Sequence, residues 1–219
     1  NNDVTTNNWS PHDFGIVTSN IIIDGQNKNI TITANKIDGL FAGGGKVIDN
    51  GTSIINESFI EIKNLNITIN GNIKCGLIKS SGSVKISNCN LIINGNILSH
   101  GGGFVYTNTT IATSNFKSTN IINSSVYVNG NIESSAGPLI GKMSGGNFAT
   151  ITKSLSIVNG NIGDNAGAFV GANVGLSKTT TISGCYCIIS GSMAQYSGVI
   201  AGSFFGSNFG TVNINNFYS

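Results

Sequence analysis

Asn70-Gly71-Asn72-Ile73 returns along this chain as Asn94-Gly95-Asn96-Ile97, Asn129-Gly130-Asn131-Ile132 and Asn159-Gly160-Asn161-Ile162. The four segments begin 24, 35 and 30 residues apart. One motif recurring at intervals of this size is typical of a protein built from stacked structural repeats. Ser190-Gly191 and Asp24-Gly25 are variants that extend the series, and the 46 residues from Asp24 to Asn70 hold either two turns or one long insertion.

The composition narrows the class of protein. Only 9% of the 219 residues are charged, whereas there are 30 Gly and 33 Asn. Apolar residues come in short alternating groups, and none of these approaches the roughly 18 residues that a membrane-spanning helix needs. The chain has no Arg, and its 11 lysines are scattered, so binding to a phosphate backbone of nucleic acid is not expected. We expect a soluble, β-rich protein that does not span a membrane.

The ten residues before each motif align without a gap when the Asn, or its variant, is numbered zero. Position minus eight reads Ile16, Ile62, Ile86, Ile121, Ile151, Ile182 and Ile214, and position minus one reads Ile23, Ile69, Ile93, Val128, Val158 and Ile189. Alternation with period two on both sides of position minus six predicts two short strands joined by a corner. Asn is frequent at minus six, where a left-handed backbone and stacked amides are expected. Gly after the motif Asn is expected to supply a positive φ.

A third strand is predicted from a recurring phrase in which Gly precedes apolar residues, as in Gly76-Leu77-Ile78 and Gly167-Ala168-Phe169-Val170. Three short strands per coil predict an all-β protein, a right-handed parallel β-helix (β-solenoid) of about six to seven coils. We expect residues 1–13 to form an N-terminal arm or cap and residues 14–219 to form a single parallel β-helix domain.

These repeats resemble a known family. The segment from Ile21 to Ile32, the phrase Gly39-Leu40-Phe41 and the phrase Gly198-Val199-Ile200-Ala201-Gly202 are similar to β-helix repeat proteins with GLUG-like motifs. Such proteins are encoded by giant DNA viruses that infect amoebae, and more distant ones are bacterial surface adhesins. The resemblance implies a non-catalytic rod, a virion fibre, coat element or adhesin, located extracellularly or on the virion surface. Its implied partner is a host glycan or receptor.

Some parallel β-helices are enzymes that cleave polysaccharides, so the positions of the carboxylates indicate whether this chain could be one. A hydrolase would need two or three carboxylates on one face of consecutive coils. No aligned position repeats an acid, and the nearest approach to a pair is Asp38 with Asp49, which flank a glycine-rich loop. A lyase acting on acidic sugars would usually use Arg, which is absent. We predict no catalytic residue; the alternative is a polysaccharide-active hydrolase or lyase.

Metal and cofactor sites are not expected. His12 and His100 each lack a Cys or His at metal-ligand spacing. Cys185 and Cys187 fall on inward positions of the alignment, which predicts core packing. Cys89 shares a column with Cys185 but lies three coils away, about 14 Å by the strand spacing. We therefore expect free thiols, as in a protein assembled in a reducing cytoplasm.

One outward position carries apolar residues and is the candidate interface. Position minus two reads Ile22, Thr68, Ile92, Tyr127, Ile157 and Ile188. An exposed apolar column on a flat β-face predicts lateral self-association, unless the N-terminal arm covers it through Trp9. The last coil stops unfinished at Ser219, and Phe217 and Tyr218 make this end aromatic. We expect that the protein continues, that it associates end to end, or that the last coil is protected in another way. The predicted interface residues are Ile22, Ile92, Tyr127, Ile157, Ile188, Phe217 and Tyr218.

Overall fold

The computed structural model describes residues 2–5, 9–49, 54–107, 117–143, 147–175, 178–203 and 211–219. Within these ranges the chain is all-β, and nearly all strand pairs are parallel. In chain order the strands are Asn2–Thr5 (β1), His12–Val17 (β2), Ile21–Asp38 (β3), Phe41–Gly45 (β4), Val47–Asp49 (β5), Ile54–Glu57 (β6), Ile60–Cys75 (β7), Ile78–Ser80 (β8), Val84–Ser87 (β9), Asn90–Ile93 (β10), Ile97–Gly102 (β11), Val105–Thr107 (β12), Lys117–Ile122 (β13), Ser125–Val128 (β14), Asn147–Thr152 (β15), Leu155–Val158 (β16), Thr180–Ile189 (β17) and Val212–Tyr218 (β18). In this part of the chain no helix is long and apolar enough to cross a membrane.

The predicted register is confirmed from β7 onward. Ile86 lies opposite Ile62 on one side and Ile121 on the other. In the second row of strands, β10 pairs with β7 and with β14 without a shift. The long strands β3, β7 and β17 continue from the first row into the second and join the two rows into one sheet. Successive coils therefore stack in parallel, as expected for a β-solenoid.

The corner between the two rows is a column of left-handed residues. φ is 53° at Asn64, 53° at Asn88 and 48° at Asn123. Lys153 and Gly184, the exceptions to Asn in this column, adopt the same backbone, with φ of 51° and 62°. The Nδ2 group of Asn123 donates to Oδ1 of Asn88 at 2.7 Å, and that of Asn88 donates to Oδ1 of Asn64 at 3.2 Å. The predicted Asn corner, with stacked amides and positive φ, is confirmed.

The motif glycines at the second corner are required for a different reason from the predicted one. Of these glycines, all of which are described, only Gly71 has a positive φ, 156°. A Cβ on Gly95 would lie 2.2 Å from the carbonyl oxygen of Gly71, and one on Gly130 would lie 2.4 Å from that of Gly95. The same contact recurs at Gly160, at 2.2 Å from Gly130. The prediction of a positive φ was therefore wrong at Gly95, Gly130 and Gly160, where Gly is required because the neighbouring coil's backbone occupies the space of a side chain.

The first coil also differs from the prediction. Thr33, and not Asp24, lies opposite Asn70. The segment that contains Asp24 pairs with the first part of β7 instead, so it belongs to the first row of strands. The register shifts after Asp24, where Gln26 and Asn27 have φ of 51° and 57° and form the corner. The interval before Asn70 is therefore one coil with an insertion, which contains the antiparallel pair β5–β6.

The N-terminal residues add strands to the array. β1 pairs in parallel with β3, and β2 pairs in parallel with β4. β2 runs across the predicted boundary between residues 13 and 14, and residues 1 and 6–8 of the predicted arm lie outside the described part. β2, β4, β8 and β12 form a four-stranded parallel sheet, which is the predicted third row. Later coils continue this row through single bridges, from Val105 to Ile140 and from Ile140 to Val170.

An apolar core fills the space between the rows. Inward side chains such as Ile86, Ile121 and Ile151 are fully buried, and Phe104 and Phe169 are the largest of the fully buried side chains among the described residues. Burial of each large apolar side chain contributes roughly 1.5–3 kcal/mol. Because every coil buries its apolar residues against its neighbours, the core fixes which side chains face outward.

Candidate interaction surface

The predicted outward column is present in register along the second row of strands. Tyr127 lies opposite Ile92 on one side and Ile157 on the other, and Ile157 lies opposite Ile188. Their sequence neighbours point inward; Leu91, for example, is fully buried. Ile92 remains 38% exposed and Ile188 52% exposed, while Tyr127 and Ile157 are half-buried. Four apolar side chains thus form a continuous outward line.

A second outward column, which the alignment did not single out, runs beside the first. It occupies position minus four and reads Asn66, Asn90, Ser125, Leu155, Tyr186 and Tyr218. Tyr186 and Tyr218 are stacked, with ring centroids 5.0 Å apart and planes 19° apart, and both are more than half exposed. The residues at position minus four of the sequence alignment, listed as those at position minus two were, show this column. We name the combined patch the apolar face: Ile92, Tyr127, Leu155, Ile157, Tyr186, Ile188 and Tyr218.

The motif asparagines border the apolar face. Asn94 donates from Nδ2 to Oδ1 of Asn70 at 2.7 Å, and Asn159 donates to Asn129 at 2.8 Å. The second Asn of each motif is used differently, since its Oδ1 accepts from a backbone N–H of the next coil, as in Asn131 N to Asn96 Oδ1 at 2.8 Å. These amides are fixed by hydrogen bonds between coils, so they form a rigid polar border.

The outward side of the second row changes character along the solenoid. At its N-terminal end the two columns carry Asn29, Thr31, Asn66 and Thr68, which are paired in register. Toward the C-terminal end the same positions carry leucine, isoleucine and tyrosine. An apolar patch adjoining a polar one on a flat sheet is a surface suited to contact with another macromolecule.

Two predicted interface residues have other positions. Ile22 is exposed but lies opposite Glu61 in the first row, so its assignment to the column was wrong. Phe217 lies opposite Cys185, at an inward position, and packs edge-on against Phe169 with centroids 5.1 Å apart. Phe217 therefore extends the core, whereas its neighbour Tyr218 belongs to the apolar face.

Trp9 does not lie over the apolar face. It forms a parallel bridge with Ile37, near the end of β3, and packs against the core. β1 pairs with the edge of β3 and so adds to the end of the second row. In the described part of the chain, the arm therefore adds a strand to the array, and the alternative in which it covers the apolar face through Trp9 is not seen.

Most described carboxylates hold neighbouring coils together. Asp24 accepts from Asn64 Nδ2 at 3.1 Å and pairs with Lys63 at 3.5 Å. The hydrogen bond from the backbone N–H of Gln26 is the main cause that lowers the pKa of Asp24. Glu133 Oε2 accepts from both the backbone N–H and the hydroxyl of Ser99, at 2.9 and 3.1 Å.

Asp38 and Asp49 were the nearest approach to a catalytic pair of carboxylates in the sequence. Asp38 accepts from Lys79 at 2.9 Å. Asp49 lies in β5, and its side chain is outside the described part of the chain.

The two histidines and the four cysteines contribute to packing and to the backbone turns of the fold. His12 packs edge-on against Phe14, and His100 has a left-handed backbone with φ of 65°. Burial, followed by the nearby charge of Lys142, lowers the pKa of His100.

Cys75, Cys89, Cys185 and Cys187 are buried and unpaired. Burial raises the pKa of all four thiols, to about 11 at Cys89 and about 12 at Cys187. Among the described residues no group of three or more His, Cys, Asp or Glu could hold a metal ion.

These features define an all-β protein of stacked parallel strands, a β-solenoid with an exposed apolar face. No family model, no curated protein and no solved structure matches the chain.

Proposed function

We propose that this chain is a non-catalytic structural surface protein that associates laterally with other copies of itself through the apolar face. In this proposal it is a right-handed parallel β-helix with three strands per coil and about six to seven coils. Its resemblance to GLUG-like repeat proteins supports a place on a virion surface or outside a cell, as a fibre, a coat element or an adhesin. The rod needs no cofactor or metal for this role.

The observation that carries the proposal is the in-register line from Ile92 to Ile188, flanked by the stacked rings of Tyr186 and Tyr218. Parallel pairing holds these side chains on one flat side of a rigid sheet. Little ordering entropy is therefore lost when a partner covers them. Burial of each large apolar side chain contributes roughly 1.5–3 kcal/mol, so a cluster of this size can drive association.

The uses of the carboxylates support a non-catalytic role. A glycan-cleaving enzyme needs an acid and a second carboxylate directed at one bond. Asp24, Asp38 and Glu133 are instead engaged with side chains or backbone of other coils. The alternative, a polysaccharide-active hydrolase or lyase, is tested by incubating the protein with polysaccharides and measuring new reducing ends. Sustained release by the purified protein would establish the alternative.

Light scattering on the full chain tests the proposed association. The variant Ile157→Lys/Ile188→Lys places two charges in the apolar face, and we expect it to shift the protein from oligomer to monomer. The matched control is Thr31→Lys, an outward residue in the same column at its polar end. It should keep the wild-type mass. A monomeric wild type, or equal masses for all three proteins, would refute lateral association through this face.

A further inference from the structure

The third row of strands contains a cavity of about 280 Å³ on its outer side. The column through it reads Asp13, Ala42 and Lys79, from strand β2 to β4 to β8. Ala42 is the short side chain between two long ones, so the column has a gap at its middle strand. Gly43, the next residue along β4, also lines the cavity.

Opposite charges face each other across this gap. The Asp13 side chain lines the cavity, and its Oδ1 accepts from the backbone N–H of Gly15 at 2.8 Å. On the far wall the Lys79 ammonium donates to Asp38 Oδ2 at 2.9 Å, using one of its three donors. Two strand spacings separate Asp13 from Lys79, about 9.6 Å.

The remaining lining combines polar and apolar groups. Ser80 and Ser81 lie on the same wall as Lys79, and Pro11 lies beside Asp13. The Ser80 hydroxyl donates to the carbonyl oxygen of Gly82 at 2.7 Å, so its proton is already used. Ser80 is also buried, so the site offers the Asp13 carboxylate, the Lys79 ammonium and the Ser81 hydroxyl around a floor formed by a methyl group and a glycine.

We infer that this cavity binds one neutral hexose ring of a glycan. A sugar hydroxyl can donate to Asp13 while another accepts from Lys79, which satisfies both charged groups at once. An anionic ligand would meet Asp13 and Asp38, and a cationic ligand would meet Lys79, so a neutral ligand is favoured. The volume of about 280 Å³ lies just below the usual range of small-molecule sites, which suits a single ring.

The inference rests on the proposed function of a surface-displayed rod, for which the resemblance to GLUG-like repeat proteins implies a host glycan or receptor as partner. It also separates two surfaces of the molecule. The cavity lies on the third row of strands, whereas the apolar face lies on the second. A rod can therefore associate through one side while the other side contacts a glycan.

Ligand-detected NMR titration of the full chain tests the site with methyl glycosides of glucose, galactose and mannose. We expect saturable binding of at least one, and weaker binding, by about fivefold or more, of glucuronate and glucosamine. Ala42→Leu, which fills the gap, should abolish the signal. Lys79→Gln should weaken binding about tenfold, because it removes a charge-assisted donor.

Lys63→Gln is the matched control. It removes the same charge from the other ion pair, Lys63–Asp24, on a different row of strands, and it should bind as the wild type does. The inference is overturned if none of the three methyl glycosides binds, or if Lys63→Gln weakens binding as much as Lys79→Gln. Light scattering measures lateral association independently of sugar binding. A failure of sugar binding can therefore be distinguished from a failure of the proposed assembly.

Discussion

Asn129 donates a 2.8 Å hydrogen bond from Nδ2 to Oδ1 of Asn94, although 35 residues separate the two in sequence. Asn94 in turn donates to Asn70, and Asn159 donates to Asn129. Each interior amide of this ladder therefore donates once and accepts once along the solenoid. The ladder couples coils at the border of the apolar face.

The variant Asn94→Ala removes two of these hydrogen bonds and leaves a donor and an acceptor in neighbouring coils without their partner. We expect a loss of about 1–3 kcal/mol in the free energy of unfolding, measured by urea denaturation. Asn213→Ala, at an exposed position of β18, is the control and should change the midpoint little. Equal effects of the two variants would show that the ladder does not contribute to stability.

The same substitution, Gly to Asn, should have different effects at the left-handed corner, which contains Gly184, and at the motif corner, which contains Gly130. Gly184→Asn should be tolerated or slightly stabilising, because φ is 62° and Asn occupies this column in other coils. Gly130→Asn should prevent folding or cost several kcal/mol, since its Cβ would lie 2.4 Å from the carbonyl oxygen of Gly95. The measurement is the thermal midpoint of each variant. Similar midpoints would contradict the difference between the corners.

Sequence reasoning was most successful where side chains repeat. The alternation before Asn70, Asn94, Asn129 and Asn159 predicted the paired register, because period two separates buried from exposed residues in any strand. The alignment was wrong at Asp24-Gly25, because these residues resemble the Asn-Gly motif but precede the left-handed corner between the first and second rows of strands.

The reason for the motif glycines was not predictable, because it lies in the distance between coils and not in local conformation. Phe217 was misplaced because an aromatic residue near a chain's end reads equally well as core or interface. The position-minus-four column, with Tyr186 and Tyr218, was readable from the same alignment.

Burial of Cys89 predicts a pH dependence of stability. Its thiol pKa is raised from 9.0 to about 11, mainly by burial, so the folded protein favours the protonated form. The stabilising contribution is fully present below about pH 9 and is lost as the pH rises toward about 11. Between about pH 8 and 10.5 the wild type should lose on the order of 1–2 kcal/mol more than Cys89→Ala. Urea titrations at both pH values measure this, and identical losses would contradict a buried thiol.

Two adjacent residues should separate stability from association. Phe217→Ala removes the edge-on contact with Phe169 and should destabilise the fold by about 2–4 kcal/mol. Tyr218→Ala removes an exposed ring stacked on Tyr186 and should change stability by less than about 0.5 kcal/mol. It should nevertheless weaken the oligomer in light scattering. If Tyr218→Ala destabilises as much as Phe217→Ala, the two residues do not have these separate roles.

Thiol cross-linking across the apolar face tests lateral self-association most directly. The four native thiols are buried, so a short bismaleimide should react with an introduced cysteine. Ile157→Cys places this cysteine in the centre of the apolar face, and Thr31→Cys places it in the same column four strand spacings away, about 19 Å. We predict a covalent dimer from Ile157→Cys and none from Thr31→Cys on a denaturing gel. Dimers in equal amounts from both, or from neither, would contradict association through this face.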